Sequence, residues 1–451
     1  MTLLVGVTST GAGIRYDLTT LDDIVLGPGS LVVSTDSTAI SGIGSNHDVR
    51  VAGMVHSGGA YGVYLGDQRD TDQSQTVIIL PGGSVSAVTD FGSVGVWIMG
   101  VGSTLLNEGS ISAFNGVAIG GIVSGVTGPS TITNRGTIYG KDDGITRFAS
   151  DTETLIIHNT GLISGEVRAF NHNASNAVEI IRNRGEIVGE IAMGSMDDIV
   201  DNRGGSIDGN VDLGAGNDTF DNRGGTLNGV AYGGDGNDIV IGNNAQAEIF
   251  DGAAGLQDAL DFRLGAGAHV ALDGSYGNDG AALGDTYTGF EVIYGSNVGN
   301  DRLRGGAEVN SFLGNGGNDF LDGGAGNDAL RGGTGTDTLM GGAGNDLFRF
   351  FFLNECGDLI VDFSSNTPGN NDSIQVSAAG FGGGLAAGVL AADQFQSRAD
   401  NLAQDSNDRF IFRTTDTTLW FDADGNGGGA GILVADMQAW ATMTAADILI
   451  L

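Results

Sequence analysis

The chain is 451 residues long and carries 55 acidic against 19 basic side chains, a formal charge of -36 that makes nucleic acid and anionic membranes poor partners. Its 81 glycines would suit disorder, yet only 4 prolines accompany them and 40% of the residues are hydrophobic, in short alternating runs of Val, Ile and Leu that imply many short strands joined by glycine turns. The single cysteine, Cys356, excludes an internal disulfide, so a strongly self-repelling chain needs bound cations for stability.

The first residues, MTLLVGVTSTGAGIRYDL, lack a basic segment and a sustained apolar run, so no N-terminal signal peptide is expected, and no later stretch reaches the length of a membrane span. GPGSLVVS at Gly27 and LPGGSVSA at Leu80 each read as a strand after a glycine turn. A repeat then becomes explicit: NEGSISA at Asn107, NRGTIYG at Asn134, NTGLISG at Asn159, NRGEIVG at Asn183, NRGGSIDG at Asn202 and NRGGTLNG at Asn222, at intervals of 27, 25, 24, 19 and 20 residues. Such periods suit single coils of a parallel β-helix, assigned to 1–230, with Ile111, Ile138, Ile163, Ile187, Ile207 and Leu227 stacked inside. The asparagines form a ladder at one turn, where they satisfy main-chain groups.

The later coils change character. GSMDDIV at Gly194, GAGNDTF at Gly214 and GGDGNDIV at Gly233 place Asp198, Asp218 and Asp238 at steps of 20 residues, either as metal ligands or as exposed turn acids. Next comes a region, 231–350, in which residues 251–295 form irregular coils; Asp258 there sits one residue out of the strict spacing. From Ser296 to Arg349 six nonapeptides follow in phase, the last three (GGAGNDALR, GGTGTDTLM and GGAGNDLFR) fitting one template, GGxGxDxUx, without a gap.

Six residues of each unit make a turn in which glycine permits left-handed angles and inward carbonyls, and the sixth supplies a carboxylate, an oxygen donor set suited to Ca2+. The remaining three make a short strand whose apolar residue (Leu330, Leu339, Phe348) points inward, so the units stack as a right-handed parallel β-roll. The sixth positions are Asp301, Asn310, Asp319, Asp328, Asp337 and Asp346. The turn glycines expected to contribute are Gly314, Gly316, Gly323, Gly324, Gly326, Gly332, Gly333, Gly335, Gly341, Gly342 and Gly344. In a two-sided roll Asp301, Asp319 and Asp337 line one edge and Asn310, Asp328 and Asp346 the other, with the neutral Asn310 unit the weak binder. A flexible glycine linker would share this composition but not the periodic Leu and Phe.

After Arg349 the glycine turns cease. FRFFFLNECGDLIVDFSSNTPGNNDSIQV and the final TLWFDADGNGGGAGILVADMQAWATMTAADILIL make a region, 351–451, expected to cap the open end of the solenoid. Asp358 and Asp362 are candidates for the last metal site of the roll. Asp422, Asp424 and Asn426 have the one, three, five spacing of a calcium loop but no following Glu, which leaves a β-turn between two strands as the other reading.

These nonapeptides resemble those of the RTX (repeats-in-toxin) family of secreted bacterial proteins, and the final region resembles the C-terminal domain of serralysin-like RTX proteins. The resemblance implies bound Ca2+, export by a type I secretion apparatus through an uncleaved C-terminal signal, and a place outside the cell or on its surface. It stops at the catalytic half. No HExxH exists, since His47, His56, His158, His172 and His269 are each followed by a residue other than Glu, and no GxSxG elbow occurs.

The remaining enzymatic option is polysaccharide chemistry on the β-helix, for which the local clusters are Lys141, Asp142 and Asp143 with Arg147, and Asp67, Asp70 and Asp72. Both lie in polar loops where exposed charge is normal. The expected fold is all-β: a parallel β-helix or β-solenoid running into a calcium β-roll closed by a small C-terminal β cap. The expected function is that of a calcium-binding solenoid with a structural, adhesive or surface-layer role and no catalytic site. The alternative is a uronate lyase, epimerase or hydrolase acting on extracellular polysaccharide or other cell-surface components.

Overall fold

A computed structural model describes the chain apart from residues 1, 20–21, 68–70, 89, 122–127, 149, 173–175, 243–245 and 366–367. It is all-β with parallel pairing dominant, and it divides into two compact units, one of Met1–Asn243 with Glu248–Gly255, the other of Asn244–Ala247 with Leu256–Leu451.

In the first unit each full coil supplies three strands, and each strand stacks in parallel register on its equivalent in the next coil. One sheet runs from Asp48–Val51 through Thr104–Asn107 and Glu179–Asn183 to Ile239–Ile241. A second runs from Met54–Ser57 to Thr226–Asn228, and a third from Ile40–Gly42 to Ile249–Ala254. Alternation sends every second side chain inward. Ile111, Ile138, Ile163, Ile187, Ile207 and Leu227 pair in that order and are all buried, as the repeat required. The strands at Gly27 and Leu80 join the same stack, with Val32 opposite Val55 and Val55 opposite Val85.

Asn107, Asn134, Asn159, Asn183, Asn202 and Asn222 are fully buried at one corner, where each Nδ2 donates to the next Oδ1 at 2.5–2.8 Å. The ladder ends where Asn222 donates to Glu248. An amide fits here because it accepts from one coil and donates to the next, so a stack of any length leaves no polar atom unpaired inside it.

The second unit is a two-sided roll. One sheet stacks Ala268–Ala271, Arg302–Arg304, Phe320–Asp322, Thr338–Met340 and Asp358–Ile360. The other stacks Ala259–Asp261, Val292–Tyr294, Ser311–Gly316, Ala329–Thr334, Leu347–Phe350 and Ser373–Val376. Leu303, Leu321, Leu339 and Ile360 fill one inner face, and Ile293, Phe312, Leu330, Phe348 and Ile374 the other. Both open ends of the sheets are then covered. Ile432–Met437 continues the first sheet and turns it antiparallel through Thr418–Phe421 and Phe410–Arg413, while Ile448–Ile450 continues the second. The segment after Phe421 is a turn between antiparallel strands, in which Asp422 accepts the Asp424 N–H and Asp424 accepts the Gly429 N–H.

Candidate metal centre

The sixth-position side chains lie at the corners of the roll, just before each strand, and they are joined in columns. Asp319 accepts the main-chain N–H of Asp301, Asp337 that of Asp319, and Asp358 that of Asp337, at 2.7, 2.7 and 2.9 Å. On the other edge Asp328 accepts from Asn310, Asp346 from Asp328, and Asp372 from Asp346, at 2.7, 2.8 and 3.0 Å. A third column lies in the β-helix, where Asp198 accepts from Glu179, Asp218 from Asp198, and Asp238 from Asp218, at 2.7, 2.6 and 2.8 Å.

One oxygen of each carboxylate is used in this way. The second oxygen of Asp198, Asp218, Asp319, Asp328, Asp337, Asp346 and Asp358 is buried and has no donor among the described residues. An ionised oxygen in that position is costly unless a cation reaches it. Burial accordingly pushes Asp319 up to about 7, Asp328 to about 6, and Asp198, Asp218 and Asp358 to about 8, against the pull of the N–H bonds. Asp337 and Asp346 move the same way for the same reason.

The first glycine of each unit is explained by the same oxygen. A Cβ on Gly314, Gly323, Gly332 or Gly341 would stand 2.1–2.4 Å from the second oxygen of the Asp in its own turn. The second and fourth positions carry the left-handed angles: φ is 94° and 132° at Gly324 and Gly326, 105° and 141° at Gly333 and Gly335, and 94° and 153° at Gly342 and Gly344. In the unit that begins at Gly314 these angles fall on Asn315 (72°) and Gly317 (131°), so Gly316, read from the sequence as a turn glycine, belongs to the preceding strand.

Among the described residues no three acidic, His or Cys side chains converge on one point, and a cation at these corners would need main-chain carbonyls to complete its shell. The donor set is all oxygen, partly anionic and preformed, and it fits Ca2+. Asp319, Asp337 and Asp358 would hold it on one edge, Asp328 and Asp346 on the other, and Asp198 and Asp218 in the β-helix.

The column ends differ. Asp301 has both oxygens engaged, by Ala268 and Ser296 N–H groups, and Asp372 by those of Asp346 and Ser364. Asn310 accepts from Gly306 instead of from a neighbouring coil. Asp258 is buried and donates its N–H to Glu291, which stands where the nonapeptide has Asp. Asp362 lies outside the columns and accepts the N–H groups of Gly341 and Gly342 at 2.9 and 2.7 Å.

The members of the polysaccharide clusters turn to separate surroundings. Lys141 is exposed, Asp143 is buried on Asn171 Nδ2 at 2.6 Å, and Arg147 is buried against Glu179 Oε1 at 2.6 Å. Arg147 belongs to a buried ion cluster the sequence did not reveal, with Asp151, Glu153, His172 and Glu179. Burial pushes Glu179 up to about 8 and Glu153 to about 7 and holds His172 down to about 4. Asp67 and Asp72 hold a turn through the Asp67 N–H, at 2.7 Å; Asp70 lies outside the described residues. Burial pushes the Cys356 thiol up to about 12, which suits an inert side chain.

Fold and corners together define a calcium-type β-roll, a stack of parallel coils whose turns present buried carboxylates to a cation. The family comparison agrees. Residues 295–330 and 313–348 match the RTX calcium-binding nonapeptide repeat, and the chain is an RTX-repeat protein through that segment. Comparison with curated proteins gives no match. Among the described residues no helix is long and apolar enough to cross a membrane.

Proposed function

We propose that this is a secreted solenoid that folds when it meets calcium after type I export and then serves a structural, adhesive or surface-layer role. The reading is carried by one observation: at seven corners a buried carboxylate oxygen has no donor among the described residues. In a calcium-poor cytosol these columns repel and the chain stays unfolded and exportable. Outside, calcium at about 1 mM meets sites whose dissociation constants in extracellular modules run at roughly 0.1–1 mM. At about ten times the dissociation constant each site adds on the order of 1.4 kcal/mol, so several coupled sites decide the balance.

Circular dichroism of the full chain in calcium and in chelator tests this. The expected result is a β spectrum with calcium and loss of β structure in the roll without it. A chain that stays fully β-folded in chelator and binds no calcium by calorimetry refutes the mechanism.

A second reading, a polysaccharide-active solenoid, is supported by a ridge of partly exposed rings on the β-helix. Tyr61, Tyr64, Trp97 and Phe148 have neighbouring ring centroids 4.9–5.7 Å apart. Flat aromatic faces suit sugar rings. A screen of uronic-acid polymers for unsaturated product or altered epimer content tests this reading, with a Lys141→Ala, Asp142→Ala double variant as the control.

A further inference from the structure

Among the described residues five arginines have a buried Nε with no hydrogen-bond acceptor: Arg147, Arg168, Arg304, Arg349 and Arg398. Arg147, Arg168, Arg304 and Arg398 each have an acidic oxygen within 4.0 Å. Arg349 does not. It has no hydrogen bond or ion pair among the described residues, and its Nε is buried without an acceptor.

Its nearest cationic neighbour aggravates the position. Arg331 and Arg349 each stand one residue beyond the paired Leu330 and Phe348 on adjacent strands, so both guanidinium groups leave the same outer face of the sheet. Arg331 is neutralised: it forms a forked bond to Glu355 and stacks 4.4 Å over the Phe351 ring. Arg349 keeps its charge uncompensated, and burial and Arg331 both disfavour that charge.

The two arginines open on a groove of about 330 Å³ that also meets Tyr294, Leu313, Phe351 and Glu291. Tyr294, Leu313 and Arg331 are successive members of one outward row. Glu291 does not answer Arg349: its Oε2 accepts the Asp258 N–H at 3.0 Å, and among the described residues it makes no ion pair.

We propose that this groove binds a monocarboxylate carried on a six-membered ring, with the Arg349 guanidinium holding the carboxylate and Phe351, Tyr294 and Leu313 covering the ring. A planar fork matches a carboxylate through two parallel bonds. One free guanidinium inside a field of -36 disfavours a dianion such as phosphate more than a single charge. The volume lies at the small end of ligand pockets, enough for a ring and its substituents. A uronic acid and an aromatic acid share this chemistry. The site depends on the roll being folded and not on what the folded protein does outside the cell.

The test uses the calcium-saturated full chain and saturation-transfer NMR with D-glucuronate and benzoate, alongside D-glucose, benzyl alcohol and inorganic phosphate. The expected result is binding of at least one acid, none of the neutral analogues, and a loss of about tenfold or more in Arg349→Gln with partial retention in Arg349→Lys. Binding of glucuronate alone assigns the groove to sugar acids, and of benzoate alone to aromatic acids. Leu313→Glu puts a negative charge into the groove itself and is expected to abolish binding of either acid; this second variant serves if Arg349→Gln does not fold. No binding of either acid, equal binding of the neutral analogues, tighter binding of phosphate, or full affinity in the variants overturns the proposal. Calcium titration of the same samples separates failure of the groove from failure of calcium-driven folding.

Discussion

Asp358→Asn should change the stability of the protein in opposite directions with and without calcium. The Asp358 side chain is fully buried, its Oδ1 accepts the Asp337 N–H at 2.9 Å, and its Oδ2 has no donor. Asparagine keeps the acceptor and removes the charge. Burial first, with Asp337, Glu355 and Asp319 adding to it, pushes the carboxyl from 3.8 up to about 8. Because the folded value is raised, the stability this group contributes is full below about pH 4 and is lost as the pH climbs towards 8.

At pH 7.5, where the unfolded carboxyl is ionised, burying this group therefore costs the cation-free fold at most on the order of 5 kcal/mol, and relaxation with water entry reduces that to roughly half. In chelator at pH 7.5 the variant should be the more stable by about 2–3 kcal/mol, an advantage that vanishes near pH 4. In excess calcium it loses a ligand and should be the less stable by about 1–2 kcal/mol. Urea denaturation followed by circular dichroism, in calcium and in chelator at both pH values, reads all four numbers. A shift of the same sign in calcium and in chelator would refute the idea that this oxygen exists to meet a cation.

Gly344→Ala combines a φ of 153° with a Cβ only 1.5 Å from the Gly326 carbonyl oxygen, so a loss of about 3 kcal/mol or more in calcium is expected by thermal melting. Gly357→Ala, with a φ of 109° and open space around it, should lose only about 1–2 kcal/mol. Asn159→Ala cuts two 2.8 Å bonds of the amide ladder and should cost about 2–4 kcal/mol, equally in calcium and in chelator. Arg147→Met strands Glu179, with an expected loss of about 3–5 kcal/mol at pH 8. That loss should shrink at pH 5, where Glu179 and Glu153, both raised by burial, take up protons and no longer need the guanidinium. Denaturation at the two pH values checks it.

Strict periods made much of this legible. The asparagines and isoleucines recur once per coil, and a residue that must meet its own copy in the next coil shows itself as a repeat along the chain. Phase is lost where loops of irregular length intervene. Asp372 closes a column after a step of 26 residues where the preceding step is 18, and of the nonapeptide only the Asn371-Asp372-Ser373-Ile374 core survives there, out of phase and without the paired leading glycines. Glu291 takes the corner above Asn310 across a step of 33 residues from Asp258. Arg147 and Glu179 are 32 residues apart, and a pair made across coils of unequal length has no spacing to search for. Arg147 therefore read as part of a surface cluster with Lys141. Its burial followed from packing that local pattern does not encode.

The polar corner of the β-helix has one further consequence. In the early coils the corner is completed by neutral groups: Gln75 Oε1 accepts the His47 N–H at 3.0 Å, Ser103 Oγ that of Gln75 at 3.2 Å, and Ser130 Oγ that of Ser103 at 2.9 Å. From Glu179 onwards carboxylates do the same task, and Arg147 is the built-in cation at the changeover. The early coils can thus close by themselves and leave a finished edge as a template. If calcium drives folding as proposed, growth in this unit, where each coil touches only its neighbours, would run from Asp48–Val51 towards Ile239–Ile241, and the ion concentration would set how far the growing edge advances.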